Sequence, residues 1–203
     1  MKNAAKHGHA SVAMAPQRFL CDFFNGLLTH LLIPMQEEIL RQQLYDSFKN
    51  RAMIYYLIYD ELRAELGPER AEEILSRAIY RRGAEKGREK YARYSPKDLP
   101  GLQKAFLGGM PDEGRMFQPE LIRSDTDGLD LKFHACPLRD AWKEAGLPEG
   151  EVATLCRIAA RIDYGTFEAA GFAFNADTYQ PNGEGCCCLH IRPGDGGKMR
   201  DER

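Results

Sequence analysis

The amino-acid sequence predicts an α+β fold: long N-terminal helices, then a four-stranded antiparallel sheet of two hairpins with helices between them. Two observations predict it. In the first half of the chain, apolar residues recur at three- and four-residue steps, which is the period of an α-helix. In the second half, four short runs alternate apolar and polar residues, which is the period of a half-buried strand. Helices followed by strands in this order indicate an α+β architecture.

Residues 1–33 are an N-terminal extension, of which the first 16 residues are expected to be disordered. The run FLCDFFNGLLTHLLI follows. It is shorter than the roughly 18 uninterrupted apolar residues that a membrane span requires, and it contains Asp22, Asn25 and His30. We therefore expect an amphipathic helix that docks on the rest of the chain or on a partner, and no membrane attachment.

Residues 34–192 are predicted to form a single domain, followed by a flexible tail over residues 193–203. Helical periodicity covers residues 35–66. Gly67-Pro68 ends this helix and starts the next, because proline is tolerated in a first helical turn. In the second helix Gly83 and Gly87 lie four positions apart on one side, which predicts that another backbone packs closely there.

The predicted strands form two hairpins. RMFQPELIR and GLDLKFHA flank the turn-rich segment SDTDG, and FAFNADTYQ and CCCLHIR flank PNGEG. Pro119 in the first run indicates an edge strand, because proline cannot donate a ladder hydrogen bond. Between the hairpins, two helices are predicted over residues 137–145 and 149–163.

The composition of the chain limits the classes of function that the sequence supports. The 28 basic and 30 acidic side chains nearly balance, so nothing predicts a nucleic-acid-binding surface or a polybasic membrane patch. The chain has six cysteines, but three of them are adjacent, which does not suit ordinary disulfides. No secretory signal is recognisable. A cytoplasmic location with free thiols is the expectation.

The last predicted strand begins with Cys186, Cys187 and Cys188. Successive side chains of a strand point to opposite faces, so Cys187 shares the apolar face with Leu189 and Ile191. We expect Cys187 to pack in the core. Cys188 takes the polar face and is the stronger candidate for chemistry.

The strand GLDLKFHACP offers matching candidates. Its leucines and Phe133 alternate onto one face, which leaves His134 and Cys136 on the other. If the two strands are neighbours, His134 and Cys136 converge with Cys188 on one side of the sheet.

The helix LCRIAARID adds Cys156 and Asp163, which lie two turns apart on one stripe. Such thiols and a carboxylate could bind a soft metal such as zinc or present an activated thiolate, although the spacing matches no recognised zinc pattern. Thiols that pack as small hydrophobic side chains are the alternative. Trp142 is expected in the core face of its helix, or as the wall of a pocket.

These residues carry a resemblance. FHACPLRDAWKEAGLPEGE, the helix with Cys156 and Asp163, and the hairpin ending GEGCCCLHI together resemble the L-2-amino-thiazoline-4-carboxylic acid hydrolase family over residues 116–192. Cys136, Asp163 and Cys188 match the family's recurring positions. Ala160 stands where the family usually has cysteine, with Cys156 one turn earlier, and Leu189 stands where the named enzyme has an acidic residue.

The resemblance implies a hydrolase that opens a small cyclic amidine or related heterocycle, by attack of water on ring C2 of the thiazoline to give N-carbamoyl-L-cysteine. It implies that Cys136 or Cys188 attacks as a thiolate or holds a metal that activates water. Asp163 would orient the amidine or act as base, and His134 would shuttle the proton. The substrate-binding candidates are Arg139 and Arg157 for the carboxylate, with Trp142 and Cys156.

Two other interpretations remain open. The same layout resembles the 4-vinyl-reductase-type small-molecule-binding domains, in which cysteines and an acidic residue hold a structural zinc near an apolar pocket. On that interpretation the protein binds a ligand without turnover. A third interpretation is a structural homodimer whose apolar N-terminal helix is the interface.

Overall fold

The structure, a computed structural model, describes residues 18–181 and 187–194. The predicted disorder of the first 16 residues, Cys186 and most of the predicted tail lie outside this part of the chain. The chain forms two compact units, Met1–Gln42 and Gln43–Arg203. Among the described residues, no helix has both the length and the apolar character needed to cross a membrane.

Five α-helices occur in the described residues: α1 (Arg18–Leu66), α2 (Pro68–Lys90), α3 (Leu99–Gly108), α4 (Pro137–Glu144) and α5 (Glu149–Ala169). Helix α1 is one element where the sequence suggested two, and it runs through Pro34 without a break. The predicted break at Gly67 is confirmed, because its backbone has a φ of 82° and Pro68 opens α2. The described part of the first unit is helical, and α2 to α5 belong to the second.

The sheet contains β1 (Pro119–Ser124), β2 (Leu129–Phe133), β3 (Ala173–Asp177) and β4 (Cys187–Arg192). All its pairs are antiparallel, and the order β1-β2-β4-β3 places the two hairpins side by side with β2 against β4. The predicted α+β class with two hairpins is confirmed. Pro119 lies on edge strand β1, as its chemistry requires.

One face of the sheet is apolar and covered. Leu131 pairs with Leu189 across β2 and β4, and both are fully buried against Phe167 of α5. The opposite face carries polar side chains such as Lys132 and Cys188. The strand parity predicted from the sequence is therefore confirmed.

Helices α2 and α5 pack at backbone distance. A Cβ atom built on Gly83 would lie 2.1 Å from the carbonyl oxygen of Ile162, and one on Gly87 would lie 2.0 Å from that of Thr166. In the same way, a Cβ atom built on Gly165 of α5 would lie 2.1 Å from the carbonyl oxygen of Tyr80 of α2. The predicted close packing at the glycine pair is confirmed. It holds the basic C-terminal half of α2 against α5.

The core has two clusters. One joins the second unit's part of α1 to α2, α4 and α5, and it includes Trp142, whose indole N–H donates to the Ala52 carbonyl oxygen at 2.8 Å. The other joins α3 and α5 to the sheet. Cys136 packs against both clusters and so marks the junction between them.

Candidate functional site

A cavity of about 280 Å³ lies in the second unit, between its helices and the apolar face of the sheet. Its deepest walls are the fully buried Trp142 and the nearly buried Phe133 and Cys156. Arg51 and Lys90 also line it but are exposed, so they mark its open side. Cavities of this size and depth suit small organic molecules.

Asp163 is the acidic residue of the lining among the residues that the structure describes. Helix α5 places it two turns after Cys156, with Ala159 and Ala160 between them, and all four line the cavity. The predicted stripe is therefore present. Ala160 presents only a methyl group to the wall, while the thiol of Cys156 lies one turn earlier.

The Asp163 carboxylate is half-buried, and it makes no hydrogen bond or ion pair with any described residue. Burial raises the pKa of this carboxyl to about 7, and the nearby positive charge of Lys86 opposes that rise without cancelling it. Near neutral pH the group is therefore present in both protonation states. A carboxyl in this condition can accept and return a proton.

Cys136 directly precedes α4 and reaches the cavity from the end of β2. Burial raises the pKa of its thiol, and the backbone N–H groups of Leu138 and Arg139 at the start of α4 oppose this rise. The raised pKa means that the thiol is neutral at physiological pH. Cys136 is thus a polarisable, protonated wall of the cavity.

Three cations, Arg51 of α1 with Lys86 and Lys90 of α2, line the same cavity. Burial lowers the pKa of Lys86, and the charges of Arg82, Arg51 and Lys90 lower it further, while Asp163 raises it. These charges line one cavity, so each affects the protonation of the others. The Arg51 guanidinium also stacks over the Phe48 ring at 4.3 Å from its centre.

The structure brings some of the sequence-predicted site residues together and separates others. Four of them line the cavity: Cys136, Cys156, Trp142 and Asp163. Four do not: His134, Arg139, Arg157 and Cys188.

Cys136 and Cys188 do not share a face. Strand β2 ends at Phe133, so the strand alternation used in the sequence-based prediction does not extend to Cys136. Cys188 pairs with Lys132 on the outer face of the sheet, away from the cavity, whereas its neighbour Cys187 lines the cavity. Burial and the charges of Asp177 and Asp130 raise the pKa of the Cys188 thiol.

The remaining site residues predicted from the sequence contact acidic side chains outside the cavity. His134 is exposed and contacts the Glu120 carboxylate of β1 at 2.6 Å from Nε2. Arg139 binds Asp140 beside it. Arg157 forms a two-point ion pair with Glu72 of α2, with both N–O distances at 3.1 Å.

A polar cluster covers the outer face of the sheet. His190 of β4 lies between Asp130 of β2 and Asp177 of β3, at 2.9 Å and 3.1 Å, and Arg192 binds Asp130 at 2.6 Å. Burial alone would lower the pKa of His190, but its bonds to the two carboxylates outweigh burial and raise it. This cluster ties three strands together.

In the described part of the chain, no three or more His, Cys, Asp or Glu side chains are grouped so that they could hold a metal ion. The donor set expected for zinc is not assembled there, because Cys188 faces away from Cys136 and Asp163. We therefore derive no step through a metal.

Sequence reasoning did not assign several cavity residues to the site, among them Cys187, Arg51, Lys86 and Lys90. Cys187 was assigned to the correct face, but the cavity lies on that apolar face. The cations stand in α1 and α2, far along the chain from the motifs that carry the resemblance. The basic run RRGAEKGREK held a signal in retrospect, since Lys86 and Lys90 each follow a close-packing glycine by three positions.

The fold and the cavity define the class: an α+β protein with an internal cavity of small-molecule size, lined by thiols, aromatic rings, cations and one half-buried carboxylate. The sequence model of a family described as L-2-amino-thiazoline-4-carboxylic acid hydrolase matches residues 47–191, which is more than half of the chain. The chain belongs to this family. All of the cavity lining falls within the matched residues.

Among solved structures, the chain is similar to the crystal structure of the phenol-responsive sensory domain of the transcription activator PoxR with phenol. The sequences are 14% identical, the TM-score is 0.45, and the match covers 70% of this chain and 73% of that chain. No curated protein is significantly similar to the chain in sequence.

Proposed function

We propose that the protein is a hydrolase that opens a small cyclic amidine or related heterocycle, and that the ring binds in the cavity beside Asp163. The family is named for a hydrolase of L-2-amino-thiazoline-4-carboxylic acid. The observation that carries the proposal is the state of Asp163: half-buried, facing the cavity, and with its pKa raised by burial to about 7.

The proposed chemistry is general-base hydrolysis. Ionised Asp163 accepts a proton from water as the water oxygen forms a bond to ring C2. The electron pair of the double bond between C2 and the ring nitrogen moves to that nitrogen, which takes up the proton of the new hydroxyl group as the hydroxyl oxygen becomes a carbonyl. The bond between C2 and the ring sulfur breaks as the carbonyl forms, and Asp163 returns the first proton to the departing sulfur. On 2-amino-thiazoline-4-carboxylate these steps add one water molecule and give N-carbamoyl-L-cysteine. A pKa near the working pH serves both steps, since the group must first accept and then donate.

Cys136 has a supporting role in this proposal. Burial raises the pKa of its thiol, which disfavours the thiolate that nucleophilic attack requires. We assign it to contact with the ring as a neutral, polarisable side chain. Cys188 and His134, which lie outside the cavity lining, are not needed for the reaction.

The test is turnover of 2-amino-thiazoline-4-carboxylate and a panel of related cyclic amidines, followed by appearance of the ring-opened thiol. Wild type is expected to open at least one ring. The kcat of Asp163→Asn should be lower by about a hundredfold or more, because the variant lacks the general base. Cys136→Ser should retain most of the activity, and Cys188→Ser all of it.

The same experiment distinguishes the proposed hydrolase from a protein that only binds a ligand. If wild type opens no ring of the panel but binds apolar ligands tightly, the protein is a binding module, as the 4-vinyl-reductase-type interpretation holds. If Cys136→Ser abolishes turnover while Asp163→Asn does not, the thiol is the nucleophile and the assignment of the base is wrong.

A further inference from the structure

Among the described residues, Asp163 is the acidic side chain that lines the cavity with its positive charges. Within the described residues, Arg51, Lys86 and Lys90 form no ion pair with any carboxylate. Other basic side chains of the same domain do bind acids, in pairs such as Lys49–Glu144, Arg77–Glu73 and Arg157–Glu72. The cavity therefore carries an excess of positive charge on its open side.

This excess has an energetic cost. Lys86 is half-buried, and burial and three neighbouring cations disfavour its charged form, as the lowered pKa shows. Asp163 supplies at most one negative charge against three positive ones. Because close packing of α2 on α5 fixes Lys86 near Asp163, the cation cannot simply move away. A bound anion would relieve this repulsion.

The walls beyond the cations are flat and aromatic. The rings of Phe48 and Phe117 lie 5.8 Å apart edge to face, and Phe117 lies 5.6 Å from Phe133. Trp142 lines the cavity as well, together with Phe106. Such walls favour a planar, unsaturated ligand body.

We propose that Arg51, Lys86 and Lys90 form a carboxylate-binding subsite at the open side of the cavity, and that the cavity selects carboxylates carried on a small unsaturated ring, whether aromatic or, as in a thiazoline, partly saturated. This deepens the proposed function, on which it rests for the location of the ligand. The ligand's ring lies against the aromatic walls near Asp163, and its carboxylate faces α1 and α2. Arg139 and Arg157, which the sequence suggested for this task, have acidic partners of their own.

Binding is measured without turnover, so the inference is tested separately from the reaction. Trp142 is the single tryptophan of the chain and lines the cavity, so its fluorescence reports occupancy. The probes are benzoate and neutral benzamide, which share one ring and differ in charge. Benzoate should bind about tenfold or more tighter than benzamide, which is the size of a charge-assisted hydrogen bond, and its affinity should fall as salt is added.

Variants locate the subsite. Lys86→Met keeps the length of the side chain and should weaken benzoate at least about tenfold while leaving benzamide unchanged, and Lys86→Arg should restore benzoate. Arg81→Met is the matched control, because Arg81 is an exposed cation of α2 that does not line the cavity. It should bind benzoate as wild type does.

If wild type binds benzamide as tightly as benzoate, or more tightly, the subsite is overturned whatever the variants do. The subsite is also overturned if Lys86→Met binds benzoate with the same affinity as wild type. If benzoate binds selectively but no cyclic amidine is opened, the proposed hydrolase fails and the subsite stands. If rings are opened without preference for the carboxylate, the reverse holds.

Discussion

Asp163 sits in the cavity wall with its carboxylate half-buried and without a hydrogen-bond partner among the described residues. A structural aspartate is normally hydrogen-bonded, because an unpaired buried carboxylate destabilises the fold. Burial raises the pKa of Asp163 to about 7, so the folded protein tolerates its charge poorly. A residue that costs stability in this way is a candidate for function.

The cost can be measured. Between the unperturbed carboxyl pKa of 3.8 and about 7, the folded protein holds a proton on Asp163 that the unfolded chain has released, so stability falls as pH rises through this window. Asp163→Asn removes the charge. It should stabilise the protein at pH 8 by roughly 2 kcal/mol, less than the full shift would give because the group keeps contact with solvent. At pH 4 the difference should nearly vanish.

Urea unfolding of wild type and Asp163→Asn at the two pH values is the measurement. Asp127→Asn, on the exposed turn between β1 and β2, is the control and should change stability little at either pH. Equal stability of wild type and Asp163→Asn at pH 8 would show that the carboxylate is not buried in solution.

Cys187 and Cys188 offer a second residue-scale test, since neighbours in β4 face opposite sides of the sheet. Cys187→Leu adds bulk on the cavity side and should lower turnover and ligand affinity about tenfold or more, because the cavity of about 280 Å³ has little room to spare. Cys188→Leu adds the same bulk on the outer face and should leave both unchanged. Loss of ligand binding in Cys188→Leu alone would place the site on the outer face.

At the scale of elements, the contact between α2 and α5 positions the chemistry. Gly83 and Gly87 allow the backbones to touch, and each lies three positions before a lysine of the cavity. The contact carries Lys86 to the side of Asp163, so the glycines set the electrostatics of the site indirectly.

Gly83→Ala should therefore destabilise the protein by roughly 2–4 kcal/mol, because its Cβ would lie 2.1 Å from the Ile162 carbonyl oxygen and the helices must separate. The matched control is Gly150→Ala in the first turn of α5, where a Cβ meets nothing within 4 Å. That change should be neutral or stabilise by up to about 1 kcal/mol. Thermal unfolding of the two variants decides, and similar stabilities would contradict the close packing.

For the molecule as a whole, periodicity was enough to predict the α+β class, the two hairpins, the edge position of Pro119 and the face of each β4 side chain. These features follow from local sequence. The site was harder to predict, because the alternation of apolar and polar residues indicates which side chains share a face of the sheet but not which face borders a cavity. Cys188 was favoured because polar neighbours surround it, whereas the cavity lies under the apolar face with Cys187. The cations of α1 and α2 could not be assigned without the packing of helices distant in sequence.

The central claim is that Asp163 is the base of a hydrolytic site in this cavity, and the most direct measurement is the pH dependence of kcat for wild type and Asp163→Asn on the best cyclic amidine of the panel. Since the base acts when ionised, wild-type kcat should rise with pH through about 7 and level off above it. Asp163→Asn should be slower by about a hundredfold and lack that rise. Wild-type turnover in Asp163→Asn, with the rise through pH 7 intact, would contradict the account.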